Sequence, residues 1–317
     1  MARPGAVVML DALADALVAR LGADAVRRGV PVADFSTYRL GGPVDVLVTV
    51  GRAADLTAVA DALAAVVVPP VLVLGRGSNL LVADRGFAGL GVVLTGDFEA
   101  VAVGGDGVTA GAAAPLPVLA RRAAAAGLTG LEFYVGIPGS VGGAVRMNAG
   151  GHGRETAEVL REAWTVDLTA DPTPRRRDAG DLDLGYRHSA LTATEVVTRA
   201  AFRAAPDEPA ACEARIDEVV RWRREHQPGG ANAGSVFRNP PGDSAGRLID
   251  ASGLKGLRVG GAVVSAKHAN FFQAEPGATA DDVAALVTEV QARVGDATGV
   301  RLVPELQLVG FDQGARR

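Results

Sequence analysis

Two glycine clusters, Gly75-Arg76-Gly77-Ser78-Asn79 and Gly136-Ile137-Pro138-Gly139-Ser140-Val141-Gly142-Gly143, constrain this chain more than any other feature. The first follows a short apolar strand, Val71-Leu72-Val73-Leu74, and begins like a dinucleotide fingerprint. Its sixth position is Leu80, where that fingerprint needs a small residue, and Leu80-Leu81-Val82 is short and apolar, not a helix. A Rossmann strand–loop–helix is therefore disfavoured, and the lack of any Gly-Lys pair excludes a P-loop. The same physics works without a helix. Successive backbone N–H groups in glycine loops form concave nests for anionic oxygen, and a missing Cβ lets the backbone approach closely. Two such loops can embrace one pyrophosphate; the alternative is a pair of tight turns between strands. Asn148 and the segment Arg39-Leu40-Gly41-Gly42 favour the cofactor reading.

Around these clusters the pattern mixes helices and strands. Leu13, Leu17, Leu21 and Val26 predict a helix from Leu10 to Val30, stopped by Gly29 and Pro31. Val44–Val50 predicts a strand, Asp55–Val67 a helix, and Pro115–Ala126 a helix with proline favourably near its start. Trp164–Leu168 and Val196–Phe202 read as strands. Between them Arg175-Arg176-Arg177 is expected to be a solvated hairpin loop, the alternative being a binding patch. A composition shift near Ala205-Pro206-Asp207-Glu208-Pro209 marks a boundary, and Ala210–His226 is helical beyond it. Thr279 or Ala280, with Asp281-Asp282 in the first turn, opens a helix to Val294, and Val300–Val309 alternates as a closing strand. The expected class is α+β.

Composition removes other functions. Cys212 is the only cysteine, so neither a disulfide framework nor a cysteine zinc cluster exists; its helical setting favours packing over reactivity. The four histidines lack metal spacing, and no metal is expected. Net charge is −4, which argues against a nucleic-acid binder. No apolar run spans a membrane, and Asp11 and Asp15 interrupt the first apolar stretch where a signal peptide would need continuity. The expectation is a cytoplasmic protein. Lys255 and Lys267 are the only lysines, so arginine must supply any anion pocket.

One further stretch, Gly234-Ser235-Val236-Phe237-Arg238-Asn239-Pro240, places a hydroxyl between a flexible glycine and a short apolar step. It gains meaning beside Tyr186-Arg187 and Glu305. The chain resembles the UDP-N-acetylenolpyruvoylglucosamine reductases of peptidoglycan synthesis. The matching blocks, in the family's order, are Ser36-Thr37-Tyr38-Arg39-Leu40-Gly41-Gly42, the two glycine clusters, Met147-Asn148-Ala149-Gly150, Leu184-Gly185-Tyr186-Arg187-His188-Ser189, Ala233 to Pro240, and Pro304-Glu305-Leu306. They cover most of the chain from Ser36 onward, and the compact spacing after Arg187 resembles the shorter-loop subtype.

The resemblance implies an FAD-binding fold of the vanillyl-alcohol-oxidase (PCMH) type with a separate α+β substrate domain. It divides the chain into residues 1–67 with 304–317, then 68–206, as FAD-binding subdomains, and 207–303 as the substrate domain. It implies non-covalent FAD, NADPH as hydride donor, and a UDP-sugar enolpyruvyl ether as substrate, acted on by a monomer. FAD-binding residues would be Arg39, Gly75, Gly77, Ser78, Asn79, Gly136, Pro138, Gly139, Ser140, Gly142, Gly143 and Asn148. Substrate contacts would come from Tyr186, Arg187, His226, Arg238 and Asn239, with His226 standing where relatives commonly carry lysine. Catalysis would rest on Arg187 for the substrate carboxylate, Ser235 as proton donor and Glu305 assisting the carboxylate. Two other functions remain conceivable from the residues: a flavin-binding module without activity, and an FAD oxidase acting on an alcohol.

Overall fold

In a computed structural model of the protein, residues 4–105 and 107–311 are described, and the chain divides into two units. Residues 1–3 and 312–317, parts of the expected segments 1–67 and 304–317, lie outside the described residues. The fold is mixed α+β.

The first unit comprises Met1–Gly29, Asp45–Arg76 and Ala88–Arg223. Leu10, Leu13 and Leu17 line the buried face of the helix Pro4–Leu21. That helix does not continue to Val30: Gly22 turns left-handed at φ 88°, and Val26–Pro31 is a strand. Val26 and Val30 are four residues apart, a spacing that serves both a helix face and a strand face, which is why the sequence misleads here. The strand joins a four-stranded sheet ordered Val26–Pro31, Pro43–Val50, Phe87–Leu94, Val71–Leu74, whose last two strands are parallel. The helix Ala53–Ala64 starts where Asp55 accepts the N–H groups of Gly51 and Arg52, and it buries Leu56, Val59 and Leu63.

The second sheet of this unit has five strands, ordered Arg175–Asp178, Leu160–Asp167, Glu195–Arg203, Gly107–Gly111, Val101–Gly104, all antiparallel. Arg175–Asp178 is thus an edge strand and not a hairpin loop. Its arginines are ion-paired: Arg175 with Asp171, Arg176 with Glu162, and Arg177 with Glu195. Charges on an edge discourage pairing with other chains. Helices Leu116–Ala125 and Val141–Met147 pack their apolar residues into the same core. Cys212 is buried in that core, with Arg215 Nη2 3.3 Å from its sulfur.

The second unit comprises Val30–Val44, Gly77–Phe87 and Arg224–Arg317. The segment after the first glycine cluster is the strand Leu80–Val82, paired parallel to Gln307–Val309. Its neighbour Asp84 accepts the N–H groups of Ala280 and Asp281, so a carboxylate sits at the start of the helix Ala280–Thr298. That helix begins at the expected place, where Thr279 and Asp282 form a capping box, and ends at Gly299, left-handed at φ 73°. A small antiparallel sheet, Arg258–Val259, Ala262–Val264 and Phe272–Ala274, packs with it on a core of Phe237, Phe272, Val283, Leu286 and Val290. The expected strand Val300–Val309 is reduced to Gln307–Val309, since Pro304 has no N–H to offer a ladder.

Candidate active site

In the first unit the two glycine clusters meet. A Cβ added to Gly75 would lie 2.8 Å from Ser140 Oγ. Ser140 is buried, and its hydroxyl accepts the Gly143 N–H at 3.4 Å, capping Val141–Met147. Gly142 and Gly143 therefore belong to a short helix, not to a loop. Glycine suits Gly142 because a Cβ there would stand 3.0 Å from the Ala112 Cβ, and its N–H donates to Ala112 O. Gly139 O accepts from Leu116 N at 3.0 Å. Gly136 is closed from the other side: a Cβ would come within 3.0 Å of His152 Nε2 and 3.1 Å of Val219. His152 lies edge-on to Trp222, and burial, then Arg223, holds its pKa below the usual imidazole value against the opposing charge of Glu218.

Asn148 ends the short helix in a left-handed conformation, φ 42°. It is fully buried, and its side chain is committed to protein groups: Nδ2 donates to Gly185 O at 2.9 Å, and Oδ1 accepts from Ala157 N at 2.8 Å. Gly185 and His188 exchange two backbone hydrogen bonds, which puts Tyr186-Arg187 at the tip of a turn. Arg187 is left-handed at φ 55°; its guanidinium lies 4.9 Å from the Tyr186 ring centroid and donates to Gly150 O.

In the second unit, Gly77 has φ 56°, and a Cβ there would lie 2.1 Å from Phe35 O and 2.7 Å from Ser36 Cα. Only glycine allows this approach. Gly77 O in turn accepts Thr37 N, and the turn closes through Arg39 N to Ser36 O. Arg39 is left-handed at φ 55°. Tyr38, within this turn, buries a hydroxyl that has no hydrogen-bond partner among the described residues, and burial pushes its pKa above the usual phenol value.

The same unit brings together three distant predicted residues. Asn79 Nδ2 donates to Glu305 O at 3.1 Å, and Gln307 N donates to Asn79 O at 3.1 Å. Glu305 N and Leu306 N both donate to Val236 O, at 2.8 and 3.3 Å, so Glu305 lies against the residue that follows Ser235. Ser235 and Glu305 are both half-buried. Arg238 N donates to Val303 O, while Asn239 Oδ1 accepts Ala245 N at the start of the helix Ala245–Ala251. His226 is the last residue of the helix Pro209–His226, and burial holds the His268 pKa below the usual imidazole value.

The sequence reading missed Asn270. This buried amide grips the serine block from behind: Oδ1 accepts Phe237 N at 2.9 Å, Nδ2 donates to Phe237 O at 2.8 Å, and its own carbonyl accepts Val236 N at 2.8 Å. The signal was a lone amide beside Phe271-Phe272, where a polar group must find partners.

The residues present suit a nucleotide cofactor. In the second unit the Tyr38 hydroxyl is buried with no hydrogen-bond partner among the described residues, a polar atom within the Ser36–Gly42 segment that a bound group would satisfy. Among the described residues no group of three or more His, Cys, Asp or Glu could hold a metal. Comparison with known proteins agrees with this chemistry. Residues 44–170 match an FAD binding domain, and residues 226–309 match the UDP-N-acetylenolpyruvoylglucosamine reductase C-terminal domain. The chain is 47% identical over 283 residues to the UDP-N-acetylenolpyruvoylglucosamine reductase of Acidiphilium cryptum, covering 89% of this chain and 90% of that one. It is 43% identical over 289 residues to reductase 2 of Symbiobacterium thermophilum, covering 90% and 93%. The crystal structure of the reductase (MurB) from Thermus caldophilus superposes with a TM-score of 0.79 at 39% identity, covering 90% of this chain and 98% of that one. An FAD-binding domain and a reductase C-terminal domain in one chain define a flavin-dependent oxidoreductase. Within that class, the chain belongs to the UDP-N-acetylenolpyruvoylglucosamine reductase family.

Proposed function

We propose that this protein reduces the enolpyruvyl ether of UDP-N-acetylglucosamine enolpyruvate to the lactyl ether of UDP-N-acetylmuramate, with NADPH as reductant. The observation that carries it is the clamp in the second unit, where Glu305 and Leu306 donate to the carbonyl beside Ser235 and Asn79 holds Glu305 O. FAD, when bound, supplies the hydride-transfer chemistry. Arg39, Gly75, Gly77, Ser78, Asn79 and the segment Gly136–Gly143 would hold it. Arg187 pairs with the substrate carboxylate; a planar, permanently charged fork suits charge that grows there as an enediolate. Ser235 Oγ delivers the proton to the carbon bearing the ether oxygen. A hydroxyl is a weak acid, so this works only next to a strongly basic enediolate, and such donation contributes about 10²–10⁴-fold. Glu305 assists the carboxylate as charge builds. Tyr186, His226, Arg238 and Asn239 contact the UDP-sugar.

On this reading the protein serves peptidoglycan precursor synthesis, and through it cell shape and division, as a cytoplasmic monomer. No helix among the described residues is long and apolar enough to cross a membrane. The test is direct. Purified protein should absorb near ~450 nm, release intact FAD on denaturation, and oxidise NADPH beyond one equivalent per flavin only when the enolpyruvyl UDP-sugar is added. A colourless protein that cannot be reconstituted with FAD overturns the reading.

A further inference from the structure

Five non-glycine residues among those described have positive φ, and four of them lie in two short segments of the first unit: Asn148 and His152, Asp183 and Arg187. Left-handed backbone is unfavourable for L-residues and persists only where the surroundings hold it. Arg187 is the sharpest case. It occupies the second central position of the Gly185–His188 turn, where a left-handed residue is ordinarily glycine or asparagine. A sequence that breaks turn chemistry at its proposed carboxylate-binding residue is holding that residue for a purpose.

What holds it is visible. The Asn148 side chain bridges the end of the core helix Val141–Met147 to the base of the turn, through Gly185 O at 2.9 Å. Its other end is fixed by Ala157 N at 2.8 Å. The adjoining Ala149 O accepts both Thr156 N and Thr156 Oγ1, and Thr156 Oγ1 accepts from the buried Tyr134 hydroxyl. Two residues beyond Asn148, Gly150 O accepts the Arg187 guanidinium, and a Cβ at Gly150 would lie 3.3 Å from Arg187 Nη1. One strained segment thus holds the arginine turn at both ends, backbone and guanidinium.

We infer that Asn148 is a positioning residue for Arg187: its amide fixes the turn from which the guanidinium meets the substrate carboxylate. This rests on the reading of Arg187 given above. Two protein partners take one amide hydrogen and one carbonyl lone pair of Asn148, so FAD content is the readout that separates this positioning role from the cofactor contact the resemblance implies.

Two substitutions test this in the FAD-loaded protein. Asn148→Gly keeps the left-handed backbone easy and removes both hydrogen bonds. Asn148→Asp keeps the acceptor for Ala157 N but turns the donor facing Gly185 O into a carboxyl, which donates only when protonated. In wild type and both variants we would measure FAD content, the rate at which NADPH bleaches the flavin, calorimetric affinity for the enolpyruvyl UDP-sugar, and reoxidation by that substrate. Expected are full FAD content and wild-type bleaching, with substrate affinity and reoxidation reduced about 10–100-fold, the scale of a misplaced contact group. The Asn148→Asp defect should shrink as pH falls from about 8 to about 6, because burial favours the protonated acid. Asn148→Gly combined with Arg187→Ala should be no worse than Arg187→Ala alone. Multiplying losses, FAD loss in step with activity, or a pH-independent Asn148→Asp overturns the inference while leaving the function standing. A wild-type protein inert toward the substrate overturns the function itself, and the inference with it. If Asn148→Gly does not fold, the pH response of Asn148→Asp decides alone.

Discussion

Gly75 and Gly77 stand two residues apart in one cluster, yet alanine should be tolerated at one and damaging at the other. At Gly77 the added carbon meets Phe35 O at 2.1 Å and Ser36 Cα at 2.7 Å, both backbone atoms. A carbon–oxygen contact needs about 3.3 Å, so the Phe35–Ser36 backbone must retreat by about 1.2 Å. Overpacking of this kind costs about 1–3 kcal/mol. The left-handed φ of 56° adds about 1–2 kcal/mol for any residue with a Cβ. The sum, about 2–5 kcal/mol, is a large share of the about 5–15 kcal/mol that holds a domain together. At Gly75 the neighbour is the Ser140 hydroxyl at 2.8 Å, which can turn aside by giving up its cap on Gly143 N–H, at about 1 kcal/mol, and φ is not in the left-handed region. Lower entropy in the unfolded chain offsets the shift, and the net effect should stay within about 1 kcal/mol. Urea unfolding of the apoproteins, followed by far-ultraviolet circular dichroism, should separate the two midpoints by about 1–2 M. FAD retention should fall in Gly77→Ala. Equal midpoints, or a Gly77→Ala protein as stable as wild type, would refute the crowding argument.

Ser235→Ala should bleach its flavin with NADPH at the wild-type rate while turnover with the enolpyruvyl substrate falls about 10²–10⁴-fold; stopped-flow absorbance that showed both halves slowed equally would make Ser235 a structural loop residue. Arg187→Lys should weaken substrate binding as well as turnover, since an ammonium cannot reproduce a planar fork, and calorimetry reads this directly. His152 and His268 are both held below the usual imidazole value, by burial first. The folded state then binds fewer protons than the unfolded one, so stability should fall as pH drops below about 6.5 and level off below the folded-state values. His268→Gln should flatten part of that slope in pH-dependent urea titrations. Cys212 is buried, and burial followed by Glu132 raises its thiol pKa, so a thiol reagent at pH about 8 should react only after denaturant is added.

Local chemistry was legible where one residue type has one job. Thr279 followed by Asp281-Asp282 announced the helix start, and Leu80 in place of a small residue announced that no nucleotide-binding helix follows the first cluster, where the strand Leu80–Val82 stands. Legibility failed where a pattern serves two structures or tertiary contact overrides propensity. Gly142 and Gly143 read as loop, yet the Ser140 cap and the close packing on Ala112 make a helix of them. The proximity of Glu305 to the Ser235 block has no local signature, since it is made by backbone hydrogen bonds between segments far apart in sequence. Asn270, which supports that block, could have been noticed only by asking where a buried amide finds its partners.

The parallel pairing of Leu80–Val82 with Gln307–Val309 also imposes an order of events on the ribosome. Asn79 and Glu305 are 226 positions apart. At about 5–20 residues per second, the first glycine cluster waits about 11–45 s after synthesis before the strand beside it exists. Throughout that interval Leu80, Leu81 and Val82 are an apolar strand with no neighbour along that edge, while the sheet strands of the first unit are completed by Pro206. A nascent chain stalled before Glu305 should therefore present a finished first unit and an open, chaperone-attracting strand. Release of that strand from a holdase during synthesis should coincide with emergence of Gln307–Val309 from the exit tunnel.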